Sequence, residues 1–274
     1  MKQELAGKKK ALEQEIIKLG SCLLAFSGGT DSTLLFSVAQ EILGDRVLAV
    51  TATSSTYPAR ELQEARDLAK RIGGRHLVIE SEELNLSGFA ENDKNRCYYC
   101  KSELFSKLRA IARAEGLAYV IDGNNMDDRG DYRPGRQAAR EQGVVSPLEL
   151  AGFTKEDVRA LSRERGLPTW DKPAYACLSS RVPYGTTITR ETLAQIEAAE
   201  EGLRSLGFRV LRVRHHDTVA RLELGEAEFA QASGPLREKV IQIIKSTGYA
   251  YVALDLQGYR TGAMNETLKI SSMK

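Results

Sequence analysis

Short apolar runs alternate with amphipathic runs along the first part of the chain. Residues 22–26, 47–51, 76–79 and 119–122 are brief apolar stretches bounded by turn residues, and read as strands. Residues 8–19, 32–43, 59–72, 101–115 and 154–165 carry apolar positions at helical spacing. Strands of this length separated by helices predict an α/β fold, with a parallel sheet covered on both faces. Such sheets bind ligands beyond the carboxyl ends of their strands. The residues after the first strand, and Asp122 at the end of a later one, are expected at that edge.

The pattern changes after about Arg181. Val182-Pro183-Tyr184-Gly185 reads as a hinge. Beyond it, 191–206 and 236–246 read as helices, and 210–213, 219–224 and 251–256 as strands. This is a small α+β unit without the alternating parallel-sheet pattern. A chain of 274 residues has room for two domains. The expected division is 1–185 and 186–274. No internal repeat or low-complexity tract is visible.

Composition narrows the class only a little. The net charge of +2 gives no general argument for a nucleic-acid partner. No apolar stretch is long enough to span a bilayer, and Met1-Lys2-Gln3-Glu4 leads into charged residues without a signal-peptide core. The expectation is a cytoplasmic protein. In that compartment its four cysteines point to metal binding or catalysis before disulfides.

Ser27-Gly28-Gly29-Thr30-Asp31-Ser32 lies between the first strand and the helix that follows. Glycines let the backbone approach a ligand closely, and a helix N-terminus offers free N–H groups and a favourable dipole to phosphate. Ser27, Thr30 and Ser32 add hydroxyl donors. The plainer reading is a Gly turn with Asp31 or Ser32 as helix cap. Hydroxyl residues on both sides of the glycines favour phosphate. The stretch resembles the Ser-Gly-Gly-x-Asp-Ser motif of the PP-loop (adenine nucleotide alpha-hydrolase-like) superfamily. That resemblance implies ATP bound through its pyrophosphate portion and AMP transferred to a substrate oxygen. A Walker loop would need a Gly-Lys-Ser or Gly-Lys-Thr that is absent here.

Asp122-Gly123-Asn124-Asn125-Met126-Asp127-Asp128 follows a later strand. By itself it is an acidic turn. At the same sheet edge as the phosphate loop, its carboxylates and amides suit Mg²⁺ and nucleotide contacts. It looks like the second conserved segment of PP-loop enzymes. Asp122 and Asn124 are candidate nucleotide contacts, and Asp31, Asp127 and Asp128 are candidate Mg²⁺ neighbours.

Cys97-Tyr98-Tyr99-Cys100 opens a helix, where thiolates are favoured, and Cys177 lies in a Pro/Ala loop. Cys22, inside a strand, reads as core packing. Three readings compete for Cys97, Cys100 and Cys177. A [4Fe-4S] cluster on three thiolates, with one iron open to an exogenous ligand, ranks first. Structural zinc ranks second, lacking a fourth ligand among His76, His215 and His216. A redox pair ranks third, because it leaves Cys177 unexplained.

Further segments narrow the match: Asp131-Tyr132-Arg133-Pro134-Gly135-Arg136, Arg181-Val182-Pro183-Tyr184-Gly185-Thr186-Thr187-Ile188-Thr189, Leu211-Arg212-Val213-Arg214-His215-His216-Asp217, and the run from Leu254 to Asn265. With the phosphate loop, they resemble the LarE family over nearly the whole chain. The resemblance implies an AMP-forming, ATP-dependent sulfurtransferase that adenylates a carboxylate of pyridinium biscarboxylic acid mononucleotide. The product is a thiocarboxylate used in the nickel-pincer nucleotide cofactor of lactate racemase. Members supply sulfur either from one sacrificial cysteine or through a three-cysteine [4Fe-4S] cluster. The C-x-x-C pair with Cys177 implies the cluster type, fed by sulfide or another sulfur donor.

Cys177, Asp31, Ser180 and Arg181 are the expected catalytic residues. Arg212 and Arg214 are expected at the substrate phosphate, with Glu200 and Glu223 as weaker metal candidates. The plainer reading of the strand arginines is solvent-facing pairing with Glu223 or Asp217. Family members also assemble as oligomers, which implies a homo-oligomer. A tRNA-thiolating PP-loop enzyme is the nearest alternative, and it would need an RNA platform that the balanced charge does not suggest. An ammonia-using synthetase of the NAD or GMP type would leave the cysteines without a role. A nucleotide sensor that forms no AMP is a third alternative.

Overall fold

The computed structural model describes residues 2–86, 88–130, 134–173, 177–260, 262–263 and 266. The chain packs as two units. The first comprises residues 1–82 with 97–175, and the second 83–96 with 176–274. The expected division at 185 therefore differs from the packing in two respects. The cut falls before Cys177, and 83–96 leaves the first unit to join the second.

In the first unit the order is α1 (Lys2–Leu19), β1 (Cys22–Ala25), α2 (Thr30–Leu43), β2 (Val47–Thr53), α3 (Ala59–Ile72), β3 (Arg75–Glu80), α4 (Arg96–Ala114), β4 (Tyr119–Ile121), α5 (Pro134–Glu141), α6 (Pro147–Leu150) and α7 (Lys155–Glu164). The strands form a parallel sheet in the order β3-β2-β1-β4. Successive side chains of a strand point to opposite faces, and here both faces are buried. Cys22 and Leu24 join Leu35, Ala39, Leu68 and Leu161 on one side. Leu23, Leu48 and Val50 meet Phe105 and Leu108 of α4 on the other. This is the expected α/β sheet covered on both faces. Burial pushes the Cys22 thiol up to about 12, as core packing requires.

β1 lies between β2 and β4, so the chain leaves the sheet in opposite directions around it. Ligands of open α/β sheets bind at such a switch point. The 27–32 loop follows β1 and the 122–128 segment follows β4, so topology brings both to this crevice.

The second unit contains α8 (Arg190–Ser205), β5 (Leu211–His216), β6 (Val219–Leu224), α9 (Glu226–Ser233), α10 (Arg237–Ser246) and β7 (Tyr251–Leu254). β6 pairs antiparallel with β5 and parallel with β7. Leu203 of α8, Ile244 of α10, Leu211, Val213 and Leu222 share its core. The 83–96 segment is stitched to the turn before α8. Ile188 N donates to the Ala90 carbonyl at 2.8 Å, and Gly185 N to the Asn92 carbonyl at 3.0 Å. Asn92, fully buried and left-handed at φ 58°, donates to the carbonyls of Val182, Pro183 and Thr186. Among the described residues, no helix is long and apolar enough to cross a membrane.

Candidate active site

The first turn of α2 bears on the two readings of its loop. Gly29 is the N-cap, extended at φ −79°, and no side chain caps the helix. Neither Asp31 nor Ser32 fills that role, so this terminus keeps the free N–H groups that an anion site needs. Gly28 lies at φ +63°, and a Cβ there would meet the Ala65 Cβ at 3.1 Å. The hydroxyls of Ser27 and Ser32 lie 3.1 Å apart. Thr30 directs its hydroxyl to the Thr169 carbonyl at 2.9 Å, which anchors the helix start. Gly123, after β4, approaches the same helix start. A Cβ on it would stand 3.0 Å from the Ser32 nitrogen.

Asp31 is held from two sides. Asn125, itself buried, donates to one carboxylate oxygen at 3.0 Å, and the Lys155 ammonium pairs with the other. The backbone N–H of Lys155, the first residue of α7, donates to Asp127 at 2.8 Å. Asp128 accepts from the Asn125 N–H at 3.0 Å. Asp122 accepts from Ser146 at 2.6 Å and from the Asn124 side chain at 2.6 Å. Burial is the main influence on Asp122 and raises its pKa above the ordinary carboxylate value.

A second lysine serves the loop. Lys172 donates to the Gly28 carbonyl at 3.2 Å and pairs with Glu61 and Glu64 of α3 at 2.7 Å each. Sequence reasoning missed Lys155, Lys172 and Glu61, because nothing local marks them, and it placed Asn125 among the amides of the 122–128 segment without its bond to Asp31.

Cys97 and Cys100 occupy the first turn of α4, at helical spacing that puts them on one face. Cys97 is exposed and Cys100 half-buried. A Cβ on Gly135, in α5, would lie 3.3 Å from the Cys97 carbonyl, so α5 packs closely on this turn. Cys177, also exposed, belongs to the second unit and heads the 3₁₀ turn Leu178–Arg181. Among the described residues, no group of three or more His, Cys, Asp and Glu side chains is assembled as a metal site.

The turn after Cys177 rests on buried charge. Arg181 is fully buried and grips Glu200 with two bonds of 2.9 Å. It also donates to the Cys177 carbonyl at 3.0 Å and to the Ser180 hydroxyl at 3.2 Å. Burial pushes the Glu200 carboxyl up, but Arg181, with Arg212 and the Val213 N–H, more than offsets this and the net pKa lies below the ordinary value. Arg214 donates to the Ser180 carbonyl at 2.8 Å and to Glu223 at 2.6 Å. Arg212, two residues before it on β5, lies over the Tyr259 ring at 4.9 Å. Both strand arginines are buried, and Arg214 does pair with Glu223. Glu200 and Glu223 thus hold guanidinium groups. Of the family-like segments, 131–133, 261 and 264–265 lie outside the described residues.

A family model described as NAD synthase matches residues 5–121, which span the phosphate loop and all four strands of the first sheet. A protein of Lactiplantibacillus plantarum named pyridinium-3,5-bisthiocarboxylic acid mononucleotide synthase is 43% identical over 96% of this chain and 96% of its own length. An uncharacterized protein of Synechocystis, slr1717, is 43% identical over 96% of this chain and 99% of its own. An uncharacterized protein of Methanocaldococcus jannaschii, MJ0830, is 28% identical over 90% of this chain and 94% of its own. The full-length likeness, together with a PP-loop sheet and its uncapped helix, places the chain in the LarE family of pyridinium-3,5-bisthiocarboxylic acid mononucleotide synthases.

Proposed function

We propose that the chain is an AMP-forming sulfurtransferase that turns a carboxylate of pyridinium biscarboxylic acid mononucleotide into a thiocarboxylate. The observation that carries the ATP step is the uncapped N-terminus of α2, flanked by close-packed Gly28 and Gly123. The substrate follows from the name of the 43% identical relative of Lactiplantibacillus plantarum. The reading implies a site for this reaction in the compartment where the cofactor is made, the cytoplasm.

In the first step, a substrate carboxylate oxygen attacks the α-phosphorus of ATP. The α–β bridging bond breaks and pyrophosphate leaves, giving an acyl adenylate. The loop's N–H groups and hydroxyls receive the charge of the polyphosphate. Asp31, Asp127 and Asp128 are the carboxylates that would hold Mg²⁺, and Lys155 is the cation beside them. Asp122 and Asn124 shape the nucleotide side of the crevice. In the second step, hydrosulfide attacks the acyl carbon, AMP departs, and the sulfhydryl proton goes to solvent. Arg212 and Arg214 share a face of β5 and suit recognition of the substrate phosphate.

Cys97, Cys100 and Cys177 are proposed as the thiolates of a [4Fe-4S] cluster. Three accessible or half-accessible thiols suit a cluster with one open iron. When bound, such a group would supply a labile sulfur.

The direct test combines the chain with ATP, Mg²⁺, the pyridinium biscarboxylate mononucleotide and sulfide. AMP, pyrophosphate and a product in which sulfur replaces oxygen are expected. Release of ADP, or nucleotide binding without turnover, overturns the reading. Anaerobic purification should yield about four irons per chain, lost in Cys97→Ala, Cys100→Ala and Cys177→Ala. Stoichiometric zinc without iron sinks the cluster, and loss of one sulfur from Cys177 after turnover replaces it with the sacrificial mode.

A further inference from the structure

Three guanidinium groups each donate to a main-chain carbonyl of the Cys177 turn. Arg181 reaches the Cys177 carbonyl at 3.0 Å, Arg96 the Ser179 carbonyl at 2.8 Å, and Arg214 the Ser180 carbonyl at 2.8 Å. All three arginines are buried, as is Ser179. A buried carbonyl needs a partner, so these bonds fix the turn's path.

Arg96 differs from the other two. Arg181 has Glu200 and Arg214 has Glu223 as counter-ions. Among the described residues, no carboxylate lies within ion-pair distance of Arg96. Its Nη1 bonds the Asn92 side-chain oxygen as well as Ser179, its Nε has no partner, and the guanidinium lies 5.0 Å from the Tyr184 ring centre. A buried cation without a counter-ion opposes stability. Stability alone therefore gives a poor account of an arginine here. Asn92, which Arg96 holds, ties down the carbonyls of Val182, Pro183 and Thr186. Arg96 thus grips the turn directly at Ser179 and indirectly at its exit. It is also the first residue of α4, immediately before Cys97 in the chain.

We infer that Arg96 is a positioning residue for sulfur transfer, acting by holding the Cys177 turn through the Ser179 carbonyl and Asn92. It touches no reacting atom and plays no part in the adenylation step. The activity arm of its test rests on the function proposed above, and the structural arm does not.

The experiment compares the full-length wild type with Arg96→Met, which removes the donors, and Arg96→Lys, which keeps one. Pyrophosphate exchange into ATP, dependent on the pyridinium substrate, reports adenylation. Thiocarboxylate formation reports the whole reaction. Misplacement of a reacting group lowers turnover by about 10- to 100-fold. Arg96→Met should lower thiocarboxylate turnover by about that factor, with exchange and both KM values within about twofold. Arg96→Lys should recover a measurable part of it. Hydrogen exchange read by mass spectrometry should accelerate about tenfold or more at the Ser180 and Val182 amides, which bond Cys177 and Ser179, and stay unchanged in β1 and α2. Equal loss in both half-reactions, or unchanged amide exchange in the turn, overturns the inference. A wild type inactive in both half-reactions overturns the functional reading instead, and amide exchange then decides on Arg96 alone.

Discussion

The Lys172 ammonium donates to the Gly28 carbonyl at 3.2 Å while pairing with Glu61, a carboxylate only 2% exposed. One side chain therefore ties the phosphate loop to α3. Lys172→Met removes a charge-assisted bond to the loop, each such bond contributing about 1.5–3 kcal/mol. The half-saturating ATP concentration in pyrophosphate exchange should rise about tenfold or more. Adding Glu61→Gln should restore part of the lost stability, because it removes a buried carboxylate that then keeps the half-exposed Arg60, at 3.1 Å, as its cation. A double-mutant cycle of thermal melts checks the coupling, and additive losses would refute it.

Glu200 and Arg181 form a fully buried bidentate pair. Glu200→Gln leaves the guanidinium without its counter-ion and should cost about 3–5 kcal/mol at neutral pH. The folded carboxyl titrates below its ordinary 4.5, because Arg181, Arg212 and the Val213 N–H together outweigh the upward push of burial. The stabilisation is therefore complete above that ordinary value and is lost as pH falls through the lower, folded one. Melts taken from neutral pH to about pH 3 should show the wild type's advantage over Glu200→Gln shrinking only in the acid range. A constant advantage across the range would rule the linkage out.

The two loop glycines should respond differently to alanine. At Gly28, φ is +63° and the new Cβ would meet Ala65 at 3.1 Å. The left-handed conformation costs an alanine about 1–2 kcal/mol before any contact is counted. Gly29 is extended, and its Cβ would meet only the Ser27 hydroxyl, at 3.3 Å. In melts without nucleotide, Gly28→Ala should be destabilised and Gly29→Ala nearly unchanged.

The thiols should divide by accessibility. Cys97 and Cys177 are exposed, whereas Cys22 is completely buried and its thiol is pushed up to about 12. In the reduced, metal-free chain at about pH 8, alkylation should mark Cys97 and Cys177 and spare Cys22 until denaturant is added. Peptide mass mapping reads the result, and early labelling of Cys22 would show that the β1 core opens.

Local signals make the 27–32 loop legible. Hydroxyl and glycine residues between an apolar run and an amphipathic one specify a strand, a turn and a helix start without distant information. The ends of α3 and β6 are equally plain. α9 is not, since Glu226 and Glu228 stand in its first turn and Ala232 is its buried residue, leaving little apolar stripe to read. The first turn of α4 precedes the amphipathic 101–115 run, yet the C-x-x-C pair already marks it as a helix start. Lys155 and Lys172 meet Asp31 and Gly28 across long stretches of sequence, and only the folded sheet edge creates those contacts. The strand arginines follow the same rule. Their alternation on β5 is visible in the chain, but their burial against Glu223 and Tyr259 is not.

The 83–96 segment carries a consequence for how the chain can be divided. It buries Phe89 and Asn92 in the second unit, yet lies between β3 and most of α4 of the first. Neither unit is a contiguous stretch of polypeptide: residues 1–175 hold all of the first but carry 83–96 with it, and 176–274 lack that piece of the second. Cleavage after residue 175 would deprive the 182–186 turn of the Asn92 amide that bonds the Val182, Pro183 and Thr186 carbonyls. The turn that bears Cys177 thus depends on a segment encoded ahead of α4, and a gene fragment beginning at residue 176 would lack it.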